Sequence, residues 1–152
     1  PLRRSSQKKP ENGWRPSEEQ VRKLPHRRED RMILVDTSVW IDHLRTCEPA
    51  LTRLLDENAV MIHPWIIGEL ALGSIKNRKE FIGLLTKLPV LQAVGTTEIM
   101  NGIEQFSLYS RRIGWVDAGL FTACINYPCR IWTKDGKLSA AAAERGLLFV
   151  PK

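Results

Sequence analysis

The sequence is poor in cysteine and lacks any long hydrophobic run. It contains three cysteines in 152 residues, Cys47, Cys124 and Cys129, and their spacing matches no zinc-binding pattern. The absence of a stretch of about 18 apolar residues excludes a membrane-spanning helix. No basic segment followed by an apolar stretch opens the chain, so no secretory signal is predicted. We therefore expect a protein of the reducing cytoplasm, with Cys124 and Cys129 as buried thiols.

Acidic residues are fewer than basic ones, mainly in one part of the chain. The net charge is +6, yet residues 1–31 hold ten Lys and Arg against five Asp and Glu, whereas residues 32–152 hold thirteen against twelve. The basic pI therefore describes the first 31 residues more than the rest. If four of the twelve acids neutralised bound cations, the other side chains of residues 32–152 would be basic and would favour contact with phosphates.

Residues 1–31 contain few apolar side chains and many charged residues, prolines and serines. Such a segment buries too little surface to offset the entropy lost on ordering, so we predict a basic, mostly disordered leader. A basic arm that contacts RNA or a partner protein is the alternative. The length and the 43% hydrophobic content predict one globular domain, residues 32–152, that starts at Met32.

Hydrophobic periodicity and turn residues divide residues 32–152 into alternating strands and helices. Strands are predicted at residues 32–35, 59–63, 89–94, 130–133 and 147–150. Helices are predicted at residues 37–44, 49–57, 64–72, 77–88, 96–113, 117–126 and 138–145. This alternation indicates an α/β fold in which helices cover both faces of a parallel sheet.

Four acidic residues stand where solvated surface acids are uncommon. Asp36 follows the first predicted strand and Asp135 follows the fourth, so both are expected at the rim of the sheet where ligands bind. Asp117 begins a helix at the edge of its apolar face, and Glu69 lies in a helix with no basic neighbour within one turn. Taken singly, Asp36 and Asp117 could be helix N-caps, Asp135 a turn residue and Glu69 an exposed helical residue.

The joint placement of these acids favours a metal site. Carboxylates that converge in one pocket repel each other and raise one another's pKa. Cations relieve this repulsion, and an all-oxygen ligand set favours Mg²⁺ or Mn²⁺. Such ions activate water and stabilise the charge that develops at a phosphoryl centre.

The segments that contain the four acids resemble, in order, the four signatures of PIN-domain nucleases, and most closely those of the VapC-type toxins of type II toxin–antitoxin systems. They read VDTSVWI at 35–41, GELALG at 68–73, VDAGL at 116–120 and TKDGKL at 133–138. Any one of these motifs is weak, but the four in this order and spacing are specific. The resemblance covers residues 32–150 and implies a PIN-like three-layer sandwich with a central parallel sheet flanked by helices.

The resemblance also implies an activity and the residues that perform it. It implies an endoribonuclease that depends on Mg²⁺ or Mn²⁺, with Asp36 and Asp117 as the most direct metal ligands. Glu69 and Asp135 match the acids that complete the catalytic pocket and position water or a second ion. The hydroxyl-bearing positions that support these acids are matched by Thr37, Ser38 and Thr133, for which capping or strand-end hydrogen bonding is the alternative. The implied partners are an RNA substrate, a VapB-like antitoxin whose tail lies across the active-site groove, and a second copy in a homodimer.

Several residues near the motifs have a functional and a structural interpretation. Contact with phosphate or plain surface solvation is open for Lys134, Lys137, Arg111 and Arg112. Local packing or a helix-cap role is favoured over catalysis for His63. Trp40 and Trp115 are bulkier than the aliphatic residues expected from the family pattern. Packing explains both tryptophans, and stacking on an RNA base is the alternative.

Other folds that place an acid after a strand fit less well. A haloacid-dehalogenase-like phosphatase needs a second Asp at position 38, which is Ser. A Rossmann domain needs a glycine-rich turn after its first strand, and residues 36–40 contain no glycine. The alternative that stays open is a non-catalytic PIN domain that acts as an RNA-binding or protein-interaction module.

Overall fold

A parallel sheet of three short strands forms the centre of the computed structural model, which describes residues 32–152. β1 spans Ile33–Val35, β2 spans Val60–Met61 and β3 spans Arg130–Trp132, in the order β2-β1-β3. β1 therefore lies in the middle and pairs in parallel with both neighbours. All its residues are buried, as expected for a strand covered on both faces. The leader predicted at residues 1–31 lies outside the described residues.

Seven helices connect and cover these strands within residues 32–152. They are α1 (Thr37–Thr46), α2 (Pro49–Asp56), α3 (Pro64–Leu72), α4 (Arg78–Leu85), α5 (Thr96–Gln105), α6 (Trp115–Asn126) and α7 (Gly136–Glu144). The prediction of an α/β fold with a central parallel sheet flanked by helices is confirmed. None of the helices in this part of the chain is long and apolar enough to span a membrane.

The apolar core joins the sheet to helices from the whole length of the described chain. Its fully buried side chains include Leu34 and Ile131 from the sheet and Leu51, Ile66, Leu120 and Leu138 from the helices. Cys124 and Cys129 are also buried, and their sulfur atoms lie 3.4 Å apart as free thiols. The prediction of two buried, reduced cysteines therefore agrees with their positions.

The two outer strands predicted at 89–94 and 147–150 are much shorter than expected. Each is reduced to one parallel bridge, Val90 with Ile62 and Leu148 with Ile131. Proline lies close to both bridges, as Pro89 and Pro151, and has no backbone N–H with which to extend a ladder. The direction of these segments was predicted, whereas their extent was not.

The helix predicted at 96–113 is wrong in its second half. α5 ends at Gln105, and the backbone of Ser107 is left-handed, with a φ of 52°. The N–H of Leu108 then donates to the carbonyl of Ile103 at 2.9 Å, and the Leu108 side chain is buried. A left-handed residue followed by a buried hydrophobic contact is a common way to end a helix. Residues 106–114 consequently form a loop that leads into α6.

Candidate active site

Asp36 lies immediately after the central strand β1, at the N-terminus of α1. Its backbone is extended and its side chain forms no capping hydrogen bond to α1. Instead, Oδ2 accepts hydrogen bonds from Ser38 Oγ at 2.7 Å and Thr133 Oγ1 at 2.8 Å. The residue is only 6% exposed. The helix-cap interpretation of this carboxylate is therefore wrong, and the two hydroxyls fix the carboxylate at the sheet rim.

The loop that follows β3 is joined to the end of β1 through the same two hydroxyls. Ser38 Oγ accepts from the N–H of Lys134 at 3.0 Å, and Thr133 Oγ1 accepts from the N–H of Asp135 at 3.1 Å. The N–H of Asp36 also donates to the carbonyl of Trp132 at 2.9 Å. Because each hydroxyl donates to Asp36 and accepts from the loop, the motifs at 35–41 and 133–138 form one hydrogen-bonded unit.

Glu69 is brought to this unit by α3. Its Oε2 accepts from Thr37 Oγ1 at 2.5 Å, although 32 residues separate the two in the sequence. Thr37 follows Asp36 directly, so this bond fixes Glu69 next to the first motif. Glu69 is exposed, as its structural interpretation predicted, but its carboxylate is held by a residue of the site.

Asp117 lies in the first turn of α6 and is not the N-cap, because that position is occupied by Gly114. Its pKa is raised from 3.8 to about 6, first by burial and then by the negative charges of Asp36, Asp135 and Glu69. A smaller opposite effect on this pKa comes from Lys137. Asp117 is thus close enough to the other three acids for the negative charge of each to raise its pKa.

Asp135 has a structural role as well as a place in this group. Its Oδ1 accepts from the N–H of Lys137 at 3.0 Å and of Leu138 at 2.9 Å, which makes it the N-cap of α7. The cap leaves Oδ2 without a hydrogen bond to any residue in 32–152. Asp135 is therefore a helix cap through one oxygen atom and not the turn residue of its structural interpretation, and the other oxygen stays available to the site.

The donor set suits a hard divalent cation. Each of the four carboxylates keeps at least one oxygen that forms no hydrogen bond within residues 32–152. In the same residues, no three His, Cys, Asp or Glu side chains are grouped closely enough to form a ready-made metal cage. Mg²⁺ commonly keeps several waters and binds through one or two carboxylates, so it does not require such a cage. The acids fit Mg²⁺ or Mn²⁺, and the repulsion that raises the pKa of Asp117 is what a cation would relieve.

The basic residues near the motifs differ in whether an acidic residue already pairs with them. Lys134 contacts Asp42 and lies 3.7 Å from Glu48, and Arg111 forms two hydrogen bonds with Glu144, at 2.8 and 2.7 Å. Lys137 and Arg112 form no ion pair with any residue in the described part of the chain. Of these two, Lys137 is near enough to lower the pKa of Asp117.

His63 and Trp40 have structural roles. His63 Nδ1 accepts from the N–H of Trp65 at 3.1 Å and caps α3, and burial lowers its pKa to about 4. Trp40 is buried, and its Nε1 donates to the carbonyl of Val35 at 3.1 Å. Trp115 differs from both, because 45% of it is exposed at the start of α6.

Sequence reasoning missed the acidic residues that pair with the basic side chains near the motifs. Asp42 and Glu48 pair with Lys134, and Glu144 pairs with Arg111. The Arg111 and Glu144 partners are 33 positions apart in sequence, so no local pattern could have linked them. Asp42 lies one helical turn after Ser38 on α1, and this spacing is the one signal that places it near the site.

Comparison with known proteins gives the following relatives. No protein-family model matches the chain. Ribonuclease VapC32 from two strains of Mycobacterium tuberculosis is 43% identical over 117 residues, which cover 76% of this chain and 94% of that protein. The crystal structure of PAE2754 from Pyrobaculum aerophilum has a TM-score of 0.52 and 15% identity, and the match covers 74% of this chain and 81% of that one. At this identity the structural likeness shows the fold alone.

Proposed function

The chain belongs to the VapC family of PIN-domain ribonucleases, and from this premise we propose that it is a Mg²⁺- or Mn²⁺-dependent endoribonuclease and the toxin of a toxin–antitoxin pair. The observation that carries the proposal is the electrostatic interaction of Asp117 with three acids from the other three motifs. Burial is the largest cause of the raised pKa of Asp117, and the charges of Asp36, Asp135 and Glu69 raise it further. A buried acid that three other acids repel is better explained by a bound cation than by a contribution to stability.

The residues divide the work of such a site between binding and proton transfer. A bound Mg²⁺ or Mn²⁺ would supply a water of lowered pKa and positive charge beside the scissile phosphate. Asp36 and Asp117 would hold the ion, with Asp36 Oδ1 directed by the hydroxyls that hold Oδ2. Glu69 Oε1 and Asp135 Oδ2 have no hydrogen bond within residues 32–152 and would orient the attacking water or accept its proton.

Lys137 is the strongest candidate for contact with the scissile phosphate. It lies in the first turn of α7, two residues after Asp135, and its charge lowers the pKa of Asp117. Lys134 is less suited, because its ammonium group is already paired with Asp42. A free cation at the rim of an acidic pocket can neutralise charge that develops on a phosphoryl group.

The proposed antitoxin would occupy a groove between α1 and α3. The groove has a volume of about 430 Å³ and is lined by residues that include Ile41, Leu44, Leu70 and Ile75, and by Glu69 of the site. Ile41 and Leu44 are 38% and 42% exposed, so an apolar segment of a VapB-like partner could cover them and reach the active site. The homodimer and the cytoplasmic location stay predictions, and the free thiols support a reducing compartment.

The decisive experiment removes one charge without changing shape. Asp36→Asn should abolish cleavage of RNA by the purified chain in Mg²⁺ or Mn²⁺, because the neutral amide neither holds the cation nor balances its charge. Asp56→Asn, on the exposed end of α2, is the matched control and should cleave as well as the unmodified protein. Cleavage would be followed on single-stranded RNA by gel electrophoresis, with circular dichroism to confirm that each variant is folded.

Two outcomes would reject the enzymatic assignment. Full activity of folded Asp36→Asn would show that this carboxylate is not part of the reaction. Failure of the unmodified protein to bind Mn²⁺ in a calorimetric titration, together with no cleavage, would favour the non-catalytic PIN domain that binds RNA or protein. If the protein is a toxin, its expression without a partner should also arrest growth, and Asp36→Asn should relieve the arrest.

A further inference from the structure

A second hollow lies at the start of α6, the helix that carries Asp117. It has a volume of about 460 Å³, which is within the range of ligand-binding clefts. It lies between the end of α5, the loop at 106–114 and the first turn of α6. Its lining includes Ile103, Leu108, Tyr109, Arg112, Trp115 and Ala118. We call it the aromatic pocket.

The aromatic pocket has an apolar floor and a rim of aromatic and basic residues. Leu108 and Ala118 are each 3% exposed and form part of its buried surface. At the rim, Tyr109 is 55% exposed and Trp115 is 45% exposed. Arg112 is exposed and forms no ion pair with any residue in 32–152. Exposed aromatic rings beside an unpaired guanidinium group are the combination on which nucleic acid bases stack.

The loop that shapes the aromatic pocket is fixed in place. Three of its non-glycine residues, Ser107, Ser110 and Arg112, have left-handed backbones with φ between 52° and 60°. Such a conformation is uncommon for these residue types and persists where surrounding contacts enforce it. Here the contacts include the buried Leu108 side chain and the paired hydrogen bonds from Arg111 to Glu144. These contacts hold the loop in the shape that lines the pocket, and a loop held in this way binds a ligand at a lower entropic cost.

The aromatic pocket and the proposed reaction centre are carried by the same helix. Trp115 and Asp117 are two residues apart in the first turn of α6, so their side chains leave the helix on different sides, and an RNA chain that passes around this end of α6 could reach both. We propose that the aromatic pocket binds an unpaired base of the single-stranded RNA that is cut, with stacking on Trp115 and Tyr109. This inference rests on the proposed function and adds that a base of the RNA substrate is bound in the aromatic pocket.

Base stacking can be separated from phosphate contact by binding measurements. All variants would carry Asp36→Asn, so that RNA is bound without being cut, and affinity would be measured by fluorescence anisotropy with a short single-stranded RNA in Mg²⁺. Trp115→Ala should weaken binding about thirtyfold, the middle of the range found for loss of one stacked base. Trp115→Phe should restore most of the affinity because it keeps a ring. Met100→Ala, on the exposed side of α5 and outside the pocket, is the matched control and should bind normally.

A second comparison identifies the base itself. Replacing one nucleotide at a time by an abasic unit should weaken binding to the Trp115-containing protein at one position, and this position should have no effect on Trp115→Ala. The proposal would be overturned if folded Trp115→Ala and folded Tyr109→Ala both bound RNA as tightly as the protein that lacks these changes. So would a change in oligomeric state on sedimentation without a change in RNA affinity, because the pocket would then be a contact between copies of the chain.

The cleavage assay on the unmodified protein and these binding measurements together distinguish this inference from the proposed function. If the unmodified protein does not cleave RNA but the Trp115 effect is found, the aromatic pocket stands and the nuclease proposal falls. If RNA is cleaved and Trp115→Ala binds normally, the reverse holds.

Discussion

At the scale of single residues, the ionisation of Asp117 connects stability to metal binding. Its pKa in the folded protein is about 6, above the usual 3.8, because it is buried and faces Asp36, Asp135 and Glu69. The folded state therefore holds this proton more tightly than the unfolded state. The stability gained from that difference is complete below pH 3.8 and is lost as the pH rises through about 6.

We expect Asp117→Asn to raise the melting temperature of the metal-free protein at about pH 7.5, because a neutral amide removes a buried, repelled charge. The gain should shrink as the pH falls towards 3.8, where the native carboxyl is itself neutral. Thermal melts in a chelator across this range would measure it. Burial lowers the pKa of His63 to about 4, so its stability contribution is lost on acidification from 6.5, but this acts equally on both proteins.

A metal titration provides the internal control for this result. Mg²⁺ should raise the melting temperature of the unmodified protein at about pH 7.5 and should have a much smaller effect on Asp117→Asn, because binding to the native state stabilises it by mass action. Asp56→Asn should behave as the unmodified protein does. A variant less stable than the unmodified protein at high pH without metal would show that Asp117 is held by favourable contacts and is not under repulsion.

At the scale of secondary structure elements, α6 joins the core to the site. Residues 118–124 of this helix are all buried, and Asp117 lies just before them. A helix that is apolar on all sides must be surrounded by other elements. Gly119 makes the contact with α3 possible, because a Cβ at this position would overlap the ring of Trp65 and would lie 3.3 Å from Ile99 Cδ1. The small residue in the third motif is therefore a packing requirement.

Gly119→Ala should destabilise the protein by about 1–3 kcal/mol, the usual range for overpacking a core. Gly83→Ala in α4 is the matched control, because a Cβ there has no atom within 4 Å. That exchange should be stabilising by about 0.5–1 kcal/mol, since alanine restricts the unfolded chain and favours the helix. Urea unfolding would give both free energies, and equal stability of the two variants would contradict the close approach of α3 and α6.

The elements that the sequence predicts well are those whose signals are local. β1 is a short apolar run, and α3 begins at Pro64 and ends before Gly73, as its start and stop residues indicate. The end of α5 was not predictable, because Ser107 has no intrinsic preference for a left-handed backbone and the buried Leu108 determines the turn. Tertiary contacts of this kind override local preference, so the loop at 106–114 and the aromatic pocket could not be foreseen.

At the scale of the whole molecule, the candidate site depends on topology. Parallel strands place Asp36 and the loop after β3 at one edge of the sheet, and that relation follows from the order of strands and helices. The hydrogen bond from Thr37 to Glu69, by contrast, depends on how α3 packs against α1. The proximity of Asp36 to the loop that holds Asp135 was therefore predictable, but the partner of each hydroxyl was not.

Charge is distributed unevenly over the whole chain, and this predicts how binding to RNA depends on salt. Residues 1–31 have a net charge of +5 and residues 32–152 a net charge of +1. Each cation that displaces a counterion from single-stranded RNA steepens the slope of log affinity against log salt by about 0.7. In the Asp36→Asn background, the full chain should therefore show a steeper slope than a chain that starts at Met32, with the two affinities converging at high salt. Equal slopes would mean that the basic leader does not contact RNA, and equal melting temperatures of the two chains would confirm that removal of the leader leaves the domain intact.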